Sequence, residues 1–144
     1  MPELARIETV VFLQTAEFFS YCKAEEILRI AAIAQERRFA AGETVFAEND
    51  PADRFYCVVR GSVSVSAPET EAVEVGPLGA FGHFDILRGR LRQATATAVT
   101  DALVLTFESE DFFELLSNNI DIVKALFRHV MESLGRDSRP PGDR

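Results

Sequence analysis

The sequence lacks several features that would identify a function by themselves. It has no tryptophan, only two histidines and only two cysteines among 144 residues. No apolar run approaches the roughly 18 residues of a membrane span, and no basic segment precedes an apolar one at the N-terminus, as it would in a signal peptide. We therefore expect a cytoplasmic domain without direct membrane insertion, although a larger parent protein could carry a membrane segment elsewhere.

The scarcity of cysteine and histidine also argues against a metal site or an enzyme. Cys22 and Cys57 show no spacing typical of a metal cluster or a redox pair, so we expect both to be core thiols. A metal-dependent enzyme on a β fold needs several histidines and carboxylates that converge, and His129 has no second histidine near it in the sequence. The sequence thus predicts no metal, no cofactor and no catalysis.

Positive charge is scarce as well. The net charge of −8 disfavours binding to nucleic acid, because such binding depends on clustered basic residues that neutralise phosphates. Lys23 and Lys124 are the only lysines, so arginine supplies 13 of the 15 basic residues. Because the planar guanidinium binds phosphate through a fork of donors, a local anion site built on arginine remains compatible with the acidic chain.

Apolar periodicity divides the chain into helical ends and a β-rich middle. Three- and four-residue spacing predicts helices over residues 2–12 and 23–34, with a helical turn over residues 14–21 between them. A period of two, punctuated by glycine and proline, then predicts short strands. These strands cover residues 38–39, 44–47, 55–59, 63–66, 72–75, 92–99 and 103–107, with a bend over residues 79–82. Roughly eight strands indicate a sandwich or small barrel, interrupted by a short helix over residues 84–88.

Two further helices are predicted after the strands. Ser109 can cap the first helix, and Asn118 and Asn119 end it. The second helix, from Asp121 to Gly135, carries a double apolar row wider than one exposed helix needs. It therefore packs on the barrel or pairs with another chain, and both alternatives stay open. We expect the domain to cover residues 1–135 and residues 136–144 to form a flexible tail or linker stub.

Residues 81–101 have the composition of an anion pocket. Gly82 allows close approach of the backbone to a ligand, and the short helix after it presents amide groups. Arg92 follows ten residues after Gly82 and can supply a guanidinium for a phosphate. A structural ion pair of Arg92 with Asp85 or Asp101 is the alternative.

The order of helices, glycine-punctuated strands and helices resembles the cyclic nucleotide-binding domain family, which includes catabolite activator protein and the regulatory subunits of protein kinase A. The resemblance covers residues 7–134. It is carried by Ala-Gly-Glu at residues 41–43, the Asp50-Pro-Ala-Asp53 turn, Phe-Tyr-Cys-Val-Val-Arg-Gly at residues 55–61 and the phosphate-binding cassette at residues 81–95. It implies an eight-stranded, jelly-roll-like β roll (a double-stranded β-helix) with N-terminal helices, a cassette helix and two C-terminal helices.

The resemblance also implies roles for the cassette residues. Gly82 would let the chain approach the sugar, the amides of Phe84 and Asp85 would receive the cyclic phosphate of cAMP or cGMP, and Arg92 would neutralise its charge. Ala94 and Thr95, which follow Gln93, also match the pattern of the cassette.

Three substitutions depart from the family pattern. His83 replaces the glutamate that accepts a hydrogen bond from the ribose 2′-hydroxyl, and histidine can instead carry a positive charge. Gln93 stands where a small residue is usual. Asp85 replaces an alanine and would repel an anion unless it pairs with Arg88 or Arg92.

Two functions follow from this pattern. The first is a regulatory module of a bacterial protein that senses a cyclic nucleotide and transmits the signal through its C-terminal helices. The alternative is a degenerate domain of the same fold that binds no nucleotide and serves as a dimerisation or docking module of a larger protein. DNA binding by this chain is not expected, because no helix-turn-helix segment follows the last helix.

Overall fold

The structure is a computed structural model that describes residues 5–137. Three helical segments open the chain, eight strands with one short helix follow, and two helices close it. In chain order these are α1 (Arg6–Thr15), a 3₁₀ turn (Glu17–Phe19), α2 (Ala24–Ile33), β1 (Gln35–Phe39), β2 (Thr44–Phe46), β3 (Arg54–Arg60), β4 (Val63–Ser66), β5 (Val73–Val75), β6 (Ala80–Phe81), α3 (His83–Arg88), β7 (Thr95–Ala98), β8 (Ala102–Glu108), α4 (Ser109–Ser117) and α5 (Ile120–Asp137).

The eight strands form two antiparallel four-stranded sheets. Their orders are β1-β8-β3-β6 and β2-β7-β4-β5. The arrangement confirms the predicted β roll with helices at both ends and a short helix between β6 and β7. Within residues 5–137, no helix combines the length and the apolar character needed to cross a bilayer.

Strands β3 and β8 are apolar on both faces because each face packs on a different core. In β3, Phe55 and Cys57 face the helices, whereas Tyr56 and Val58 face the interior of the roll. We call these two clusters the helix-side core and the roll core. The helix-side core contains Leu13, Phe18, Phe19, Ile27, Ile30, Phe55, Cys57, Ile86, Leu105, Phe107, Phe112, Ile122 and Leu126. The roll core contains Phe39, Phe46, Tyr56, Val58, Val63, Phe81, Ala96, Ala98 and Val104.

Both cysteines are free thiols of the helix-side core, as predicted. Cys57 is completely buried, and Cys22 is half-buried at the margin of the cluster. Burial raises the pKa of each thiol to about 12, so both remain protonated and unreactive at neutral pH.

Three local predictions were wrong. The bend expected at residues 79–82 contains β6, whose residues pair with β3 through Tyr56 and Phe81. Ser109 is the first residue of α4 and caps nothing with its side chain; its amide donates to the carbonyl oxygen of Asp53 at 2.9 Å. Helix α5 continues past Gly135 to Asp137, since a single glycine costs a helix only about 1 kcal/mol.

The N-terminal helix was also displaced in the prediction. It begins at Arg6 and runs to Thr15, three residues beyond the predicted end at residue 12. The predicted helical residues 2–4 and residues 138–144 of the predicted tail lie outside the described residues.

Candidate functional site

The cassette begins where β6 ends and the chain turns sharply at Gly82. This residue has a φ of 81°, which favours glycine, and helix α3 starts at the next residue. A Cβ at position 82 would lie 2.8 Å from Nη1 of Arg92 and 3.4 Å from a ring carbon of Phe46. Glycine is therefore required here both by the turn and by close contact with the arginine.

Arg92 lies beneath this turn with only 1% of its side chain exposed. Its Nη1 donates to the carbonyl oxygen of Gly82 at 2.7 Å, and its Nη2 donates to the carbonyl oxygen of Arg54. The guanidinium carbon is 4.1 Å from the ring centroid of Phe46, and Nη1 is 3.7 Å from Oδ2 of Asp85. The guanidinium is thus held by two carbonyls, one aromatic face and a carboxylate beyond hydrogen-bonding distance.

The charge of Arg92 is only partly compensated. Burial lowers the pKa of Arg92, while Tyr56, Asp85 and Asp53 raise it. Arginine nevertheless stays protonated because its ordinary pKa is above 12. Its buried Nε has no hydrogen-bond partner among the described residues. The site therefore contains a buried cation with unused hydrogen-bonding capacity.

The backbone of Arg92 is fixed by the turn between β2 and β3. The amide of Arg92 donates to the carbonyl of Asp50, and the amide of Asn49 donates to the carbonyl of Arg92, both at 2.8 Å. Asp50 closes the turn by accepting the amide of Ala47 with its carboxylate at 2.9 Å. The sequence predicted this turn, and the structure shows that it positions the arginine.

The side chain of His83 packs among the aromatic rings of the helix-side core. Its ring centroid lies 4.8 Å from that of Phe18, 4.2 Å from that of Phe84 and 6.5 Å from that of Phe55. Burial, assisted by nearby His129, lowers the pKa of His83 to about 4. The imidazole is therefore neutral at pH 7 and does not carry the positive charge that the residue type allows.

The structure separates the predicted site residues into two groups. Gly82, Asp85 and Arg92 come together around the guanidinium. The side chains of His83 and Phe84 pack against each other at the other side of α3, where Phe84 is 42% exposed.

The remaining predicted residues flank the cassette. Gln93 is exposed and Ala94 half-buried in the loop before β7. Of the two carboxylates considered as partners of Arg92, only Asp85 approaches it. Asp101 instead accepts the amide of Ala41 at 2.9 Å.

Sequence reasoning missed the aromatic side chains around the arginine. Phe46 and Tyr56 lie in the roll core, and the rings of Tyr56 and Phe81 stack with centroids 4.9 Å apart. A cleft of about 250 Å³ opens beside them, lined by Arg37, Val45, Phe46, Asp50, Pro51, Asp53, Arg54, Tyr56 and Arg92. The alternation of β2 and β3 could have placed Phe46 and Tyr56 inside the roll, but not against the guanidinium.

A second missed feature is the proximity of the two histidines. Phe18 contacts both rings, with centroid distances of 4.8 Å to His83 and 5.7 Å to His129. Within the part of the chain that the structure describes, no group of three or more His, Cys, Asp and Glu side chains is arranged to hold a metal ion. Phe18 thus bridges the imidazole ring of α3 and that of α5.

Two antiparallel sheets, a short helix between β6 and β7 and an arginine buried beneath that helix define a β-roll domain with a cationic cassette. The family model of the cyclic nucleotide-binding domain matches the sequence of residues 36–119. The chain therefore belongs to the cyclic nucleotide-binding domain family.

Individual relatives agree with this assignment. A cyclic nucleotide-gated potassium channel of Mesorhizobium japonicum is 33% identical over 109 residues, which are 76% of this chain and 30% of the channel. A CRP-like cAMP-activated global transcriptional regulator of Mycobacterium tuberculosis is 25% identical over 136 residues, 91% of this chain and 61% of the regulator. The chain thus spans less than two thirds of either relative.

A solved structure gives the same fold. The N-terminal domain of a transcriptional regulator from Streptomyces coelicolor A3(2) superposes with a TM-score of 0.75 at 28% identity. The match covers 88% of this chain and 94% of that one.

Proposed function

We propose that this chain is the ligand-sensing module of a larger bacterial protein and binds a cyclic nucleotide, cAMP or cGMP, through its phosphate at Arg92. The observation that carries the proposal is the buried guanidinium whose Nε is unpartnered and whose carboxylate neighbour is 3.7 Å away. Burying a charge costs several kcal/mol unless it is well paired. A phosphate oxygen in hydrogen-bonding contact with Arg92 would complete the pairing that Asp85 leaves incomplete.

The other cassette residues fit this proposal. Gly82 leaves room for close approach, and the resemblance assigns the first amides of α3, those of Phe84 and Asp85, to the phosphate. The ribose contact must differ from that of the family because His83 is turned into the helix-side core.

The same geometry predicts modest affinity. A phosphate must compete with the carbonyls of Gly82 and Arg54 for the guanidinium, and the Asp85 carboxylate repels it. Losing one charge-assisted hydrogen bond costs about 1.5–3 kcal/mol, or roughly ten- to a hundredfold in affinity. We therefore expect binding in the micromolar to sub-millimolar range.

Signal transmission has a physical route from α3 to α5. Phe18 lies between the rings of His83 on α3 and His129 on α5. A shift of the cassette helix on ligand binding would change this packing and bias the position of α5. Regulation without catalysis and a cytoplasmic location remain predictions that accompany the proposal.

Calorimetry and thermal unfolding with cAMP, cGMP and linear AMP test the proposal. A ligand at a hundred times its Kd stabilises the fold by about 2.7 kcal/mol. Arg92→Gln should abolish this stabilisation, whereas Arg90→Gln, an exposed arginine in the same loop, should leave it unchanged. Absence of stabilisation at millimolar ligand, or unchanged binding by a folded Arg92→Gln variant, would refute the proposal.

A second function, dimerisation, is favoured by the exposed face of α5. Ile120, Phe127 and Leu134 recur at seven-residue intervals and are 64%, 65% and 50% exposed. The half-buried Val123 and Val130 lie between them, which gives the a and d pattern of a coiled-coil seam. A second copy of this chain, presenting the same seam, is the partner that this spacing fits.

Light scattering tests dimerisation directly. Phe127→Glu should convert a dimer to a monomer with little effect on the fold, because the side chain is exposed. Asp121→Asn, exposed on the same helix at a b position away from the seam, is the matched control. A monomeric wild-type protein at high micromolar concentration would contradict this second function and leave the first intact.

A further inference from the structure

The protein's own aromatic ring occupies one face of the anion-binding arginine. The guanidinium carbon of Arg92 lies 4.1 Å from the ring centroid of Phe46, and Phe46 is only 7% exposed. A Cβ placed on Gly82 would be 3.4 Å from the Phe46 ring and 3.5 Å from the guanidinium carbon. Ring, guanidinium and the glycine of the cassette therefore meet at one point.

The roll core holds the Phe46 ring in this position. Its centroid is 6.0 Å from those of both Tyr56 and Phe81, which stack on each other. Phe46 pairs with Ala96 of β7, and the register of β2 shifts between Thr44 and Phe46. Such an irregularity re-aims the side chain beside it. The small partner and the register shift together direct the ring toward Arg92.

This contact fixes the direction of the guanidinium edges. Anions bind a guanidinium in its plane, through the N–H groups of its edges. With one face on Phe46, those edges reach the carbonyls of Gly82 and Arg54. Re-aiming them toward a phosphate requires the guanidinium to leave the ring or the ring to move with it.

We propose that Phe46 is a gate that sets the affinity of the anion site by holding Arg92 against the carbonyls of Gly82 and Arg54. The inference rests on the proposed function only in taking Arg92 as the anion-binding group. A phosphate that binds through Nη1 and Nη2 must take them from these two carbonyls and thereby breaks the ring contact, so its observed affinity is reduced by the free energy of that contact. A cation–π contact of this kind lowers affinity about two- to thirtyfold.

Replacing the ring while keeping its bulk tests the gate. Phe46→Leu should raise the association constants for inorganic phosphate, cAMP and cGMP by about two- to thirtyfold in calorimetry. Phe39→Leu is the matched control, since Phe39 lies in the same core, is 3% exposed and has Arg37 rather than Arg92 over its ring at 5.1 Å. The control should bind as the wild type does. Phe46→Met replaces Phe46→Leu if the latter does not fold.

The outcomes separate the gate from the proposed function. Equal or weaker binding by a folded Phe46 variant, with binding by the wild type, overturns the gate and leaves cyclic nucleotide sensing intact. Tighter binding of inorganic phosphate by the variant, with no cyclic nucleotide bound by either protein, supports the gate and overturns the proposed ligand. Absence of any anion binding in all variants overturns both.

Discussion

The two cores of this molecule each receive one ionisable side chain from the cassette, and they accommodate it in opposite ways. His83 enters the helix-side core among aromatic rings, and its pKa falls to about 4. Arg92 enters the roll core and keeps its charge with the help of two carbonyls and the Phe46 ring. The helix-side core keeps His83 neutral, whereas the roll core keeps Arg92 charged and surrounds it with polar partners.

This difference gives the two side chains different roles: His83 contributes packing, and Arg92 contributes charge. A neutral histidine between Phe18 and Phe84 connects the cassette helix to the helices through packing. A permanently charged, incompletely paired arginine is the group on which the proposed anion site depends. Under the proposed function, His83 is thus suited to transmit a shift of α3, and Arg92 is suited to bind the ligand that causes it.

Replacing Arg92 and His83 in turn should give the largest difference in the free energy of unfolding. Arg92→Met leaves the carbonyls of Gly82 and Arg54 without their donor and Asp85 without its neighbouring cation, so we expect a loss of about 4 kcal/mol in the free energy of unfolding. In His83→Leu the lost Nδ1 has no hydrogen-bond partner within residues 5–137, so we expect a change below about 1 kcal/mol. Urea unfolding at pH 7 measures both.

The comparison fails if the two variants lose similar stability. A stable Arg92→Met protein would mean that the carbonyl oxygens of Gly82 and Arg54 accept hydrogen bonds from water or another donor at little cost. A severe loss in His83→Leu would mean that the imidazole has a specific polar partner in the helix-side core.

The pH dependence of stability should show the second largest effect. The pKa of His83 is about 4 in the folded chain and about 6.5 when unfolded, so the unfolded chain binds more protons between these values. The contribution of neutral His83 is present above pH 6.5 and is lost as pH falls through 4. It amounts to at most about 3 kcal/mol.

The His83→Leu variant isolates this contribution. Carboxylates titrate in the same range, so the difference between wild type and variant, not the absolute profile, carries the information. Unfolding at pH 7, 5.5 and 4 should show the wild type losing more stability than the variant. Parallel profiles would show that His83 titrates normally and is not held neutral by its core.

Much of the fold was predictable because local patterns determine it. Short runs of apolar and β-branched residues place β3 and β8 correctly, and the Asp50 turn, Gly82 and the short cassette helix lie where the sequence indicates. The two-residue β6 was not predictable, since its pairing with Tyr56 and Cys57 depends on a strand more than twenty residues away. The continuation of α5 past Gly135 was missed because one glycine does not end a helix by itself.

The sequence could predict which residues form the site but not how the side chains of His83 and Phe46 pack. The sequence indicates that Gly82, Asp85 and Arg92 form a group, and the distances around the guanidinium agree. Their contact with a ligand stays a prediction. No periodicity reveals that His83 turns into the helix-side core or that Phe46 lies on Arg92, because both follow from packing between distant segments.

The smallest expected effect concerns the ring that shields His83 from solvent. Phe84 is 42% exposed, and its centroid lies 4.2 Å from that of His83. Phe84→Ala should cost only about 1 kcal/mol of stability, since much of the ring is already in water. It should also let water reach the imidazole and raise the pKa of His83 from about 4 toward its usual value. An NMR titration of the His83 ring protons measures the shift.

The matched control is Phe84→Leu, which keeps an apolar cover over the imidazole and should leave the pKa of His83 near its wild-type value. Because burial is the larger cause of the shift and nearby His129 the smaller, His129→Gln should raise the pKa less than Phe84→Ala does. The reverse order would show that the histidine pair, rather than the aromatic surroundings, keeps His83 neutral. The contrast between the two cores would then rest on charge repulsion in one and charge solvation in the other.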